Sequence, residues 1–375
     1  MLDGQTRRSG DAMGHWVEAL EPMHRTVCEG RPCRPGEGNL KGYHHWSQPY
    51  EPPSDEGKIR YAPFGVGDYA PLISRARAVA REGFVVFAAA DYDYREMVEN
   101  WWRSAQRAKV AEHALVYCLD AESMVYLSAK GLATVNGTSN YLVWMRTRLH
   151  RHIQRALAER HTALLSLAEA GLDVLLTDAS HVFLRPGLQA YFAQHTDVDV
   201  LVQRGKCNPA KHVVGCSLVW NFLFLRGSAP AERRTRISGW LKASVNLGMV
   251  DFYLRWWMGH HCIFMGYDKS FRAARPTLTG GRTPADVAAS PSQLAIVTLG
   301  KSSVCGATAS LCLSVGLLPA DVFPGADYKA SAHPLALVGR VNRPEARHRL
   351  RLDRYDELDF DSLVREMRKQ DMWLP

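Results

Sequence analysis

The stretch from Leu175 to Pro186 reads LLTDASHVFLRP. An apolar run that begins upstream at Val174 enters a Thr-Asp pair, turns apolar again at Val182 and stops at Pro186. This is the pattern of a buried strand that delivers an acidic residue, Asp178, to its open end. In an open α/β sheet, ligands sit beyond the carboxyl ends of the strands, so this segment points to a fold class and to a place for a site. Two residues after Asp178 stands Ser180, where a second carboxylate would complete an Asp-x-Asp pair.

Working upstream, the pattern repeats. LISRARAVAREG has helical spacing and ends at Gly83, and FVVFAAA after it is a continuous apolar run that suits a strand buried on both faces. The next helix places Tyr94, Met97, Val98, Trp101, Ala105 and Ala108 on one stripe. ALVYCLD is a second strand, AESMVYLSAKG a short helix ended by Gly131, and LATV a third strand. One long helix is expected from about Tyr141 to Ala170, with Leu149, Ile153, Ala156, Leu157, Leu164 and Leu167 on its apolar face and Gly171 as its C-cap. His150, His152 and His161 along it read as surface residues. Alternating strands and helices predict an α/β fold with a mostly parallel, mixed sheet. Three acidic strand ends result: Asp91, Asp120 and Asp178.

Downstream, DVDVLVQRG and SLVWNFLFLRG read as strands, APAERRTRISGWLKASVNLG as one helix and MVDFYLRWWMGHH as a second. Residues 1–70 are rich in Gly, Pro and charge and read as an extended or disordered arm. The regular domain spans 71–345, and the charged tail 346–375 ends in a short helix.

With 375 residues and 46% hydrophobic content the chain can bury a sizeable core. No apolar run reaches the roughly 18 residues of a membrane helix, and the N-terminus lacks the apolar middle of a signal peptide. A net charge of +8 suits an anionic partner or simple Arg enrichment of the surface. No Lys/Arg run with interleaved aromatics favours nucleic acid. None of the eight cysteines forms a CxxC pair, so a zinc site is not expected; Cys28 and Cys33 can bridge, and Cys118 reads as a buried small hydrophobe. No GxGxxG, GxxxxGK[ST], GxSxG or HExxH is present, which sets aside dinucleotide-binding dehydrogenases, P-loop enzymes, α/β-hydrolases and zincins.

Gly171, Asp173, Val174, Leu175, Asp178, Val182, Leu184 and Pro186 resemble a segment of the nucleotide-diphospho-sugar transferase family, of the type Gly-hydrophobic-Asp-Val-Leu-hydrophobic-x-Asp-x-Asp-x-Val-Trp-Leu-x-x-Pro. That family includes plant cell-wall xylosyl- and arabinosyltransferases. The resemblance covers roughly residues 83–330 and implies a GT-A type, Rossmann-like fold. It further implies transfer of a sugar from a nucleotide sugar, UDP foremost, to a hydroxyl of a glycan or glycoprotein, with retention of configuration. It suggests the Golgi or secretory lumen. The departures are Ser180 and, after NFLFLRGS, Asp251-Phe252 where the family carries Asp-Gln. A catalytically degenerate relative that binds nucleotide or glycan without transfer is the alternative. A plain nucleotidyltransferase would need a Gly-rich loop after the first strand, and AAADYDY stands there instead.

By resemblance, Ala89, Asp91, Asp93, Asp178, Ser180 and Asn221 border the nucleotide sugar, and Asp178 and Asp251 are the catalytic candidates. Asp178 and His333 are the candidate ligands of a Mn2+ or Mg2+ ion, which Ser180 weakens because a neutral hydroxyl is a poor ligand for a hard cation. Asp91 and Asp93 also fit N-capping of the next helix. Arg185, Arg204 and Lys206 are nearby cations that offer to neutralise a diphosphate instead. Asp197 and Asp199 read as a solvated turn before a strand, and Trp256 and Trp257 as core or as a sugar-stacking face.

Overall fold

The computed structural model describes residues 27–28, 31–32, 62–146, 152–254, 261–300, 312–324 and 336–337. The tail 346–375 lies outside them, as does most of the 1–70 arm apart from the paired strands β1 (Val27–Cys28) and β2 (Arg31–Pro32) and the approach to the first helix.

From there the order is α1 (Ala70–Val79), β3 (Phe84–Ala90), α2 (Arg95–Arg107), β4 (Ala114–Cys118), α3 (Ala121–Ala129), β5 (Thr134–Asn136), α4 (Thr138–Val143), α5 (His152–Glu169), β6 (Asp173–Leu176) and β7 (Val182–Phe183). Then come α6 (Leu188–Ala193), β8 (Val200–Cys207), β9 (Cys216–Arg226), α7 (Ala231–Leu254), α8 (His261–Ala273), β10 (Thr277–Leu278), α9 (Pro284–Ala289), β11 (Ala295–Leu299), β12 (Leu313–Leu318) and β13 (Ala336–Leu337). Nine strands form one open mixed sheet in the order β10-β11-β12-β8-β9-β6-β3-β4-β5. The block β6-β3-β4-β5 is parallel throughout, as is the β12–β8 pair, while β9 runs antiparallel to both β6 and β8.

The continuous apolar strands are covered on both faces, as such strands require. On β3, Val85 and Phe87 join Leu164 and Leu167 of α5 and Trp240 of α7, while Phe84, Val86 and Ala88 join Met97 and Trp101 of α2 and Phe192 of α6. The stripe expected on α2 is buried: Met97, Val98, Trp101, Ala105 and Ala108 face the core. Gly83, Gly131 and Gly171 take positive φ where the chain leaves a helix or enters a strand.

Three expectations are corrected. The single helix over Tyr141–Ala170 is replaced by α4, a 3-10 turn at Trp144–Arg146, and α5. Trp144 donates its indole N–H to Glu159 at 2.6 Å. In one continuous helix residues 15 apart would be separated by about 22 Å, so this contact requires a break. His161 is fully buried, because α5 has the sheet on one side and α7 and α8 on the other; its ring lies 5.1 Å from that of Tyr267. Finally, α7 continues through Gly248 to Leu254 instead of ending there. A Cβ on Gly266 of α8 would stand 2.1 Å from the Ser244 carbonyl oxygen and 2.5 Å from the Gly248 nitrogen. These glycines therefore serve close helix packing, and Gly248 is not a stop.

Cys118 is buried and free, with burial pushing its thiol up to about 12. Cys207 and Cys216, register partners across β8 and β9, form a disulfide that no motif announced. Cys312 is disulfide-bonded as well. The side chains of Cys28 and Cys33 lie outside the described residues.

Candidate functional site at the strand ends

Because β3, β4 and β6 are parallel, Asp91, Asp120 and Asp178 emerge on one edge of the sheet. Asp120 is committed to structure. It caps α3 by accepting from the Ser123 N–H at 2.6 Å, and its other oxygen accepts from the Tyr92 N–H at 2.8 Å, which stitches the turn after β3 to the end of β4. Asp91 is only 5% exposed and makes no side-chain capping bond to the 3-10 turn that follows it, so the capping alternative is not realised there. Asp93 is exposed and Ala89 half-buried beside it. The Tyr94 hydroxyl is raised by burial and by the carboxylates of Asp178, Asp91 and Asp93, with the Arg160 guanidinium opposing them. One tyrosine thus senses four charges from three segments, which shows that the edge gathers them.

Asp178 is the centre of this group. Its Oδ2 accepts from Arg160 Nη1 at 2.9 Å, and its Oδ1 accepts from the Ser180 N–H at 3.1 Å. Burial works against its charge, but Arg160 and the Ser180 N–H outweigh it and hold the carboxyl below the ordinary range. His181 turns inward, as its position one residue beyond Ser180 implies. Its Nδ1 accepts from the Asp178 N–H at 3.0 Å and its ring packs on Phe222, with burial pushing it down to about 4. Trp101 Nε1 donates to Thr177 Oγ1 at 3.0 Å and anchors the residue just before Asp178.

Asn221 lies on β9 beside this end. The antiparallel register pairs Asp173 with Arg226 and Leu176 with Leu223, and β9 runs on past the end of β6 through Asn221, which lies between Leu223 and Val219 where the β8–β9 register shifts. The buried Oδ1 of Asn221 has no partner among the described residues. Asp251 falls near the end of α7, far from a helix N-terminus, and its side chain lies outside the described residues. His333, Trp256 and Trp257 lie outside them too.

Several other sequence candidates are placed elsewhere. Arg204 is buried, lowered to about 10 by that burial, and donates to the carbonyls of Val287, Ser290, Gln293 and Leu317, so it braces the far side of the sheet. Arg185 and Lys206 are exposed. Asp199 is not part of a solvated turn: it is buried, paired with Arg233, and accepts from the Ser314 N–H at 2.8 Å. Asp197 is exposed as expected.

The described residues at this edge do not by themselves form a site for a divalent cation. Among the described residues no group of three His, Cys, Asp or Glu side chains is placed to hold one. The second ligand position is a serine, and a cation at Asp178 would stand beside the Arg160 guanidinium that already pairs with its Oδ2.

Arg160, the partner of Asp178, went unrecognised in the sequence. The signal was present: Ala156, Leu157, Ala163 and Leu164, three and four residues away on either side, put Arg160 and its neighbour Glu159 inside an apolar helix surface. A charge in that position needs a partner.

Residues 109–230 match the nucleotide-diphospho-sugar transferase family. The matched segment contains Asp120, Arg160, Asp178, Ser180 and Asn221, and leaves Asp91 and Asp93 before it. Among solved structures, twelve chains match. One is mouse xyloside xylosyltransferase 1 in its apo form, at 10% identity over 70% of this chain and 99% of that one, with a TM-score of 0.40. No curated protein matches the chain by sequence. The matched segment places an acidic strand end at the open edge of a mixed sheet flanked by helices. No helix among the described residues is long and apolar enough to cross a membrane.

Proposed function

We propose that this chain is a GT-A type glycosyltransferase that moves a sugar from a nucleotide sugar, most simply a UDP-sugar, to a hydroxyl of a glycan or glycoprotein. The observation that carries this reading is the gathering of Asp91, Asp93, Asp178 and Arg160 at one sheet edge, with Arg160 and Asp178 inside the segment that matches nucleotide-diphospho-sugar transferases. In this reading Ala89, Asp91 and Asp93 border the nucleoside and Asp178 accepts from a ribose hydroxyl. Asn221 meets the sugar, and Asp251 orients the acceptor hydroxyl. As the sugar–phosphate bond breaks, negative charge gathers on the departing diphosphate. The acceptor oxygen attacks from the same face and gives its proton to that leaving group. Configuration is then retained without a protein nucleophile.

A second reading, a relative that binds the donor without transfer, is favoured by one observation: Ser180 stands where the family motif carries its second Asp. One experiment covers both. Binding of a UDP- and GDP-sugar panel to the full chain is followed by calorimetry, and transfer or slow hydrolysis by mass spectrometry. The transferase reading expects at least one donor to bind and turn over, with Asp178→Asn lowering turnover about a hundredfold through lost positioning. Binding without turnover supports the second reading. Absence of both binding and turnover overturns the first reading and the second alike.

A further inference from the structure

The Arg160–Asp178 pair has a role beyond marking where a nucleotide sugar binds, a role that rests on the proposed reading of this edge as a diphosphate site. Arg160 is 4% exposed in its side chain, against 31% for Asp178, so the pair reaches solvent through its carboxylate end. Only Nη1 of the guanidinium is engaged; Nε and Nη2 have no partner among the described residues. Their N–H bonds lie side by side along one edge of the planar group. That edge is the two-pronged fork with which arginine grips paired phosphate oxygens. A buried guanidinium with one edge unsatisfied is costly unless something supplies the acceptors.

We propose that the Nε–Nη2 edge of Arg160 is the diphosphate-binding group of this site and fills the role that a divalent cation fills in an Asp-x-Asp site. Asp178 stays on Nη1 with its charge matched, and the anion takes the second edge. Ser180 is then explained by charge balance. Arg160 pairs with Asp178, Asp91 and Asp93 already bring further negative charge to this edge, and a carboxylate at 180 would add another beside an anionic ligand. Arg160 and Ser180 are therefore two halves of one change, a cation moved from bound metal into the chain. The surroundings agree: the charge of Arg160 acts on Tyr94, His161, His181 and Tyr267, from α5, α8 and both strand ends. Both fork nitrogens are buried, so binding requires the guanidinium to turn toward the exposed side of Asp178.

The test titrates the full chain with inorganic pyrophosphate in EDTA by calorimetry, and with Mn2+ alone by electron paramagnetic resonance. The proposal expects pyrophosphate to bind in EDTA and Mn2+ not to bind. Arg160→Gln should weaken pyrophosphate about tenfold or more, the scale of charge-assisted hydrogen bonds, and Arg160→Lys, which keeps the charge and loses the fork, should weaken it less. Asp178→Asn should keep or tighten it, whereas a metal site would lose it. If Arg160→Gln fails to fold, Arg160→Lys and Asp178→Asn decide. Pyrophosphate binding that needs Mn2+, or that is unchanged in both Arg160 variants, overturns the proposal. A UDP-sugar that binds only with Mn2+ overturns it and leaves the transferase reading standing. Pyrophosphate held through Arg160 with no nucleotide sugar bound does the reverse.

Discussion

Trp101 Nε1 and Thr177 Oγ1 meet at 3.0 Å inside the protein, joining the helix that follows Asp91 to the residue that precedes Asp178. Both partners are buried, so the bond has no water to replace it. Thr177→Val keeps the shape and leaves the indole N–H without an acceptor. The expected loss is about 1–3 kcal/mol of stability, read by urea unfolding, together with weaker donor binding because Asp178 loses its brace. Wild-type stability in the variant would mean that the indole finds another acceptor and that the brace is dispensable.

A titration on the opposite face of the sheet gives the second prediction. Glu159 is buried, and both its oxygens accept: from Tyr69 at 3.1 and 3.0 Å, from Tyr117 at 2.8 Å and from Trp144 at 2.6 Å. Burial outweighs these donors and raises its carboxyl from 4.5 to about 7. A raised carboxyl binds its proton more tightly folded than unfolded. Its contribution to stability is complete below about 4.5 and is lost as pH rises through about 7. The difference amounts to about 3 kcal/mol. Buried His161 and His181, pushed down to about 3 and about 4, act in the opposite sense: the stability they carry is present above the ordinary 6.5 and is lost as pH falls. Glu159→Gln isolates the first effect. Wild type minus Glu159→Gln should show stability falling between pH 4.5 and 8 in urea unfolding, and a flat difference would mean that Glu159 titrates normally.

Thr177 and Glu159 also mark what the sequence could and could not disclose. The strands FVVFAAA, ALVYCLD and DVLLTD were legible because apolar runs bounded by Gly, Asp and Pro have few other uses. The acidic strand ends came with them, since a parallel block fixes which ends share an edge. The pairing of β6 with β9 was not legible, because antiparallel partners as far apart in sequence as Leu176 and Leu223 leave no local trace. Glu159, Arg160 and His161 were hidden for a different reason. Consecutive helix residues point to different sides, and each of these three is buried by a different distant segment: Glu159 by Tyr69, Tyr117 and Trp144, Arg160 by the strand end at Asp178, and His161 by Tyr267 of α8, so the apolar neighbours signal burial but not the partners. The end of α4 at Val143 and the 3-10 turn after it escaped notice because helical periodicity continues past them in the sequence.

Asn221 supplies the third prediction. Its Oδ1 is buried and has no partner among the described residues, and in the proposed reading it meets a hydroxyl of the donor sugar. Asn221→Ala should raise the KM for the donor by about three- to tenfold, the worth of one hydrogen bond, with kcat much less affected. Asn221→Asp keeps an acceptor and adds a negative charge near the diphosphate, so it should be the worse of the two. Steady-state kinetics on both variants checks the order; an unchanged KM in each would remove Asn221 from the site.

The Cys207–Cys216 bridge closes a loop between β8 and β9, with a sequence separation of 9. Closing so short a loop stabilises a chain by about 2.5 kcal/mol through the unfolded state. The bridge lies at the far end of β9 from the Arg226–Asp173 pair, past the register shifts between Val202 and Cys207, so it ties the hairpin tip and leaves the β9–β6 pairing to its own hydrogen bonds. Reductant would act on the bond of Cys312 as well, so the clean test is the double change Cys207→Ala with Cys216→Ala. It should lower stability by about 2–3 kcal/mol in urea unfolding and leave the donor KM within about twofold, a change well under one hydrogen bond. A large rise in KM would mean that the bridge positions Asn221, five residues along the same strand from Cys216, and that the hairpin belongs to the donor site.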